Sequence, residues 1–143
     1  MATTNARSGL TRDAGRAVAT ARGLYTVVDS PPPLGGPNEA MNPLDLLLAA
    51  LATCGTFVCE TAAQELSYDL TDAVVDVEAD FDPQGVKGVE GVSPAIEVFR
   101  VTLTLHGVDH EQAEELAGHF RRRCPVFTTL EKAAPIELTV QTA

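Results

Sequence analysis

Three cysteines carry the most reactive side chains of this 143-residue chain, and their surroundings differ. Cys124 follows Arg121, Arg122 and Arg123 and precedes Pro125, a residue that favours the first position of a new helical turn. Free backbone N–H groups at a helix start and nearby guanidinium groups both stabilise a thiolate, the form in which a cysteine reacts. The alternative is an inert thiol filling a helix-breaking corner. Cys54 and Cys59 lie in the apolar stretch NPLDLLLAALATCGTFVCETAAQEL, Asn42 to Leu66. Their spacing puts them roughly 140° apart on a helix, so they share no face. That arrangement makes a poor metal chelate and forbids a disulfide between the two within one helix. Each is then either a functional thiol or a small buried hydrophobe.

Other chemistries are excluded by what accompanies the thiols. His106, His110 and His119 fit no ligand spacing with one another or with the cysteines, which argues against a metal centre. The segment PQGVKGVEGVSP is glycine-punctuated but lacks the Gly-Lys-Ser/Thr ending of a phosphate-binding loop. A net charge of −10 argues against nucleic acid, and Arg121 to Arg123 read as a cationic last helical turn complementing the helix dipole. Met1 to Ala21 contains Arg7, Arg12 and Arg16 and no apolar run of signal-peptide length, and three cysteines are an odd number. A cytoplasmic chain without a disulfide framework is expected. The apolar run Leu46 to Val58 is shorter than the roughly 18 residues of a membrane span, so a core helix and no membrane contact are expected.

The long helix that carries Cys54 and Cys59 has a clear start. Asn42 caps it, Pro43 takes its first position, and Asp45 stands where its carboxylate can bond back to the cap N–H. It should run to about Leu66 and is apolar nearly all round, more than one small domain easily surrounds, which points to a second subunit. Upstream, Gly15 to Asp29 reads as two short strands or a hairpin around Arg22-Gly23, and the first dozen residues as a patternless arm, flexible over about residues 1–14. SPPPLGGPNEAMNP is a loop. AVVDVEADFD alternates apolar and acidic residues, AIEVFRVTLTLHG alternates likewise, and the two predict an antiparallel hairpin with a long connection. Asp109 with Gln112 opens a second helix reaching about Arg123, and Cys124-Pro125 breaks it. One or two helical turns and a last strand, PIELTVQT, follow. The fold class is α+β, one domain over 1–143, with antiparallel sheets against which the helices pack.

Two of these segments taken together, GGPNEAMNPLDLLLAALATC and RRRCPVFTTLEKAAPIEL, resemble the OsmC/Ohr family, the osmotically inducible and organic hydroperoxide resistance proteins. The likeness runs from about Arg22 to the C-terminus and rests on Gly35-Gly36, Asn42-Pro43, Cys54 and Cys124-Pro125-Val126. It implies an intertwined homodimer with antiparallel sheets around long central helices, and a thiol peroxidase without haem, flavin or metal. By position, Cys54 is implied to reduce an organic hydroperoxide to an alcohol through a sulfenic acid. Cys124 is implied to close a Cys54–Cys124 disulfide, which a dithiol or lipoyl-type reductant reopens. Cys59 matches no family motif and is read as packing. The resemblance also implies an arginine that holds the thiolate and a carboxylate that orients it. Arg22 is the candidate, with Arg12 and Arg16 as rivals. For the carboxylate the family pattern has glutamate just after the helix-opening proline. This chain has Leu44 and then Asp45, with Glu39 in competition. A pocket lined by Leu, Val and Phe should prefer bulky apolar peroxides to hydrogen peroxide. The alternative function is a binder or redox sensor of apolar or thiol-reactive small molecules.

Overall fold

A computed structural model describes all 143 residues, which fall into two compact units, Met1–Leu47 and Leu48–Ala143. The first is a three-stranded antiparallel sheet of β1 (Arg7–Leu10), β2 (Arg16–Ala21) and β3 (Leu24–Asp29), in that order. The hairpin β2–β3 forms because Arg22 and Gly23 both adopt positive φ, 53° and 80°, the backbone of a two-residue turn whose twist matches the strands. That turn fixes the register, so Ala21 faces Leu24 and Arg16 faces Asp29. Where a patternless arm was expected, Arg7–Leu10 pairs with β2. All four of its residues are exposed, so the strand is held by backbone hydrogen bonds and leaves no hydrophobic alternation to read.

The long helix α1 (Pro43–Leu66) starts in this unit and continues through the second. Its start is the expected reciprocal cap. Asn42 Oδ1 accepts from the Leu44 and Asp45 N–H groups at 2.8 and 3.0 Å, and Asp45 Oδ2 accepts from Asn42 N–H at 2.9 Å. By length and composition α1 could cross a bilayer, since the helix extends past the apolar run that ends at Val58. Leu51, Gly55, Cys59, Ala62 and Ala63 of this helix are nonetheless buried.

The second unit holds β4 (Asp72–Phe81), α2 (Pro83–Val86), β5 (Ile96–His106), α3 (His110–Arg123), α4 (Pro125–Leu130) and β6 (Ile136–Thr142). The expected antiparallel hairpin is β4–β5, and the glycine-punctuated connection contains the single turn α2, capped by Asp82. The antiparallel expectation does not extend to β6, which runs parallel to β5, because α3 and α4 form a crossover between the two strands. β5 is central, and its Phe99, Val101, Leu103 and Leu105 are at most 2 % exposed on one face. Asp109 and Gln112 make the capping box that opens α3, whose Ala113, Leu116, Ala117 and Phe120 complete the core.

Gly55 marks a close approach in this core. A Cβ there would stand 3.1 Å from the Phe120 ring and 3.2 Å from Val75, so α1 meets both α3 and β4 at a position without a side chain. The Phe120 ring in turn meets Phe127 of α4 edge to face, 5.1 Å between centroids. Gly55→Val should overpack this point and lower stability by roughly 1–3 kcal/mol, measured as a shift in the urea midpoint with unchanged slope.

Candidate active site

Cys54 and Cys124, 70 residues apart in sequence, lie at disulfide distance, with 6.1 Å between their Cα atoms. The packing around Gly55 explains the meeting. Phe120 rests on Gly55 of α1, and the Cys124 N–H donates to the Phe120 carbonyl at 3.1 Å, one helical turn later. Cys54 and Cys124 adjoin these two contact residues. Cys124 also caps α4. Its Sγ accepts from the Phe127 N–H at 3.3 Å, with Pro125 at the first helical position. Both cysteines lie in the second unit, and Cys124 is fully buried while Cys54 is half-buried.

Cys59 behaves as the packing thiol that its lack of a motif suggested. It is fully buried, its Sγ lies 3.9 Å from the Leu116 carbonyl, and burial pushes its thiol up to about 11. The three arginines end α3 as expected. Arg123 holds Glu65 of α1 through two bonds of 2.6 and 2.9 Å, and this keeps the Glu65 carboxyl below its ordinary value. Arg121 and Arg122 are exposed, and Arg122 lies over Gly118, whose missing side chain leaves room for the guanidinium. A cleft of about 260 Å³ opens beside Thr56, Phe57, Glu60, Leu70 and Thr71, and neither sulfur lines it.

The other two expected site residues lie in the first unit and are not paired. Arg22 is exposed at the tip of the β2–β3 hairpin, and the Asp45 carboxylate is bound to the Asn42 N–H. The arginine held by carboxylates there is the rival Arg16. Its guanidinium binds both oxygens of Asp29 at 2.8 and 2.9 Å and Glu39 at 2.8 Å. Asp29, 1 % exposed, also accepts from the Glu39 and Ala40 N–H groups, each at 3.0 Å. Sequence reasoning missed Asp29. The signal was present in the Arg22-Gly23 turn, which sets Asp29 across from Arg16, and in a carboxylate ending an otherwise apolar LYTVVD strand.

This cluster makes stability pH-dependent. The hydrogen bond from Arg16 chiefly, then the Glu39 and Ala40 N–H groups, hold the Asp29 carboxyl at about 2, against the opposing effect of burial. A carboxyl with a lowered folded-state value stabilises the fold fully above its unfolded value, about pH 4, and this contribution is lost as pH falls towards about 2. Urea midpoints should therefore drop across that window, and Asp29→Asn should be less stable at neutral pH with a shallower acid decline.

The OsmC-like protein family matches residues 36–139. Solved structures with the same fold include an OsmC-like protein from Mycoplasma pneumoniae, 16% identical with TM-score 0.82, covering 99% of this chain and 98% of the other. An organic hydroperoxide resistance protein from Elizabethkingia anophelis is 19% identical with TM-score 0.78, covering 100% and 98%. The organic hydroperoxide resistance protein OhrB of Bacillus subtilis is 19% identical with TM-score 0.67, covering 97% and 98%. No curated protein matches the sequence. The match extends from the Gly36 turn through both cysteine-bearing segments into the last strand, and on it the chain belongs to the OsmC-like family.

Proposed function

We propose that this protein is a thiol peroxidase that reduces organic hydroperoxides to alcohols. The observation that carries the reading is the Cys54–Cys124 pair, brought to disulfide distance across 70 residues by the crossing of α1 with the end of α3. The organic hydroperoxide resistance proteins that share the fold support it. In the first step the Cys54 thiolate attacks one peroxide oxygen. An S–O bond forms, the O–O bond breaks, and the alkoxide takes a proton and leaves as alcohol. The Cys124 sulfur then attacks the Cys54 sulfenic acid, expelling water and closing the disulfide. A dithiol, small or lipoyl-bearing, returns both cysteines to thiols by exchange.

The Cys54 thiolate needs a cation to hold it. Arg22 with Asp45 is the assignment by sequence position, and Arg16 with Glu39 is its rival. Arg16 has the stronger physical case, because two carboxylates fix its guanidinium whereas Arg22 stands at an exposed turn. Whichever arginine serves the thiolate, its replacement by lysine or alanine should raise the pH at which Cys54 is alkylated. Replacing the other should leave that profile unchanged.

A homodimer completes the reading. Phe57 on α1 is 65% exposed, and Leu24 and Tyr25 on β3 are 66% and 78% exposed, large apolar side chains that a single chain leaves in water. Sedimentation equilibrium should give about twice the 15.1 kDa chain mass, and Phe57→Asp should shift the protein towards monomer.

Turnover of a bulky organic hydroperoxide with excess dithiol tests the proposal. The parent protein should turn over continuously and faster than with hydrogen peroxide. Cys54→Ser should fall to background, and Cys124→Ser should release about one equivalent of alcohol in its first turnover and then stall. Disulfide formation without turnover in the parent would instead fit a redox sensor.

A further inference from the structure

The two sulfurs of the disulfide are not equivalent, and the difference bears on how it is reopened. Resting on the peroxidase reading for its place in a cycle, we propose that the reductant attacks Sγ of Cys54, and that Cys124 departs as the thiolate.

Thiol–disulfide exchange is governed by two local properties, the access of the attacked sulfur and the acidity of the leaving thiol. Access separates the pair. Cys124 is fully buried, enclosed at the junction of α3 and α4, whereas Cys54 is half-buried on α1. The leaving sulfur also has a donor of its own. Sγ of Cys124 already accepts the Phe127 N–H at 3.3 Å. A backbone N–H donor stabilises charge on the departing sulfur. Cys54 lies within α1, where backbone N–H groups are committed to the helix's own carbonyls.

The electron balance is that of a two-step exchange. A thiolate of the dithiol donates an electron pair to Sγ of Cys54, a mixed disulfide forms, and the Cys54–Cys124 bond breaks with its pair on Cys124. The second thiol of the reductant, as thiolate, attacks its own sulfur in the mixed disulfide. That step closes the oxidised dithiol and releases the Cys54 thiolate, while Cys124 takes up a proton. Cys54 thus meets both oxidant and reductant from one side, and Cys124 stays enclosed throughout the cycle.

The test uses the full-length protein, oxidised with diamide to form the disulfide. It is pulsed briefly with 2-mercaptoethanol as a monothiol probe, quenched with N-ethylmaleimide, and digested for mass mapping. The expected result is mercaptoethanol on Cys54 and maleimide on Cys124, in at least about tenfold excess over the reverse. The reverse pattern, or equal labelling, overturns the inference, and it does so alone if hydroperoxide turnover is intact. Failure of diamide to join Cys54 to Cys124 overturns the inference and the two-cysteine peroxidase together. Labelling on Cys54 in a protein without turnover upholds the inference and removes the peroxidase reading.

Discussion

The absence of a side chain at Gly55 is the constraint on which the cysteine pair depends. It lets the Phe120 ring and Val75 close on α1 at a point where a Cβ would be crowded by both. Because Cys54 precedes Gly55 and Cys124 lies one helical turn after Phe120, the same contact sets the separation of the two sulfurs. Phe127, stacked edge to face on Phe120, supplies the N–H that Cys124 Sγ accepts. Core packing and the cysteine pair therefore share residues, so core volume in this region also sets the geometry of the candidate site.

The three cysteines stand in three different environments. Cys59 has only a distant carbonyl beside it, and burial suppresses its ionisation. Cys124 is equally buried but has a backbone donor. Cys54 has less burial than either and sits beside the helix crossing. Burial alone would have ranked Cys59 and Cys124 together. Hydrogen bonding to sulfur distinguishes them.

A different economy governs the first unit, whose strands expose most of their side chains. With little apolar burial on β1 and β3, Arg16, Asp29 and Glu39 form its polar centre. Asp29 is buried with both carboxylate oxygens satisfied, which avoids the large penalty of an unpaired interior charge. The arrangement also fixes the direction of the Arg16 guanidinium, something an exposed arginine such as Arg22 lacks.

Local interactions made much of this legible from sequence alone. The Asn42/Asp45 and Asp109/Gln112 caps are formed by residues three apart, so the starts of α1 and α3 could be read directly. The alternation in β4 and β5 likewise records which face is buried, and the resemblance to a known family named Cys54 and Cys124. What the residues themselves could not reveal was pairing across distance: the sulfur contact over 70 positions, the parallel docking of β6, and the choice of Arg16 over Arg22 as the arginine held by carboxylates. β1 was invisible because its ladder uses backbone groups that every sequence carries. Caps and strand faces follow from chemistry within a few residues. Which helix crosses which, and at what point, is decided by the packing of the whole core, and that crossing is where the cysteines meet.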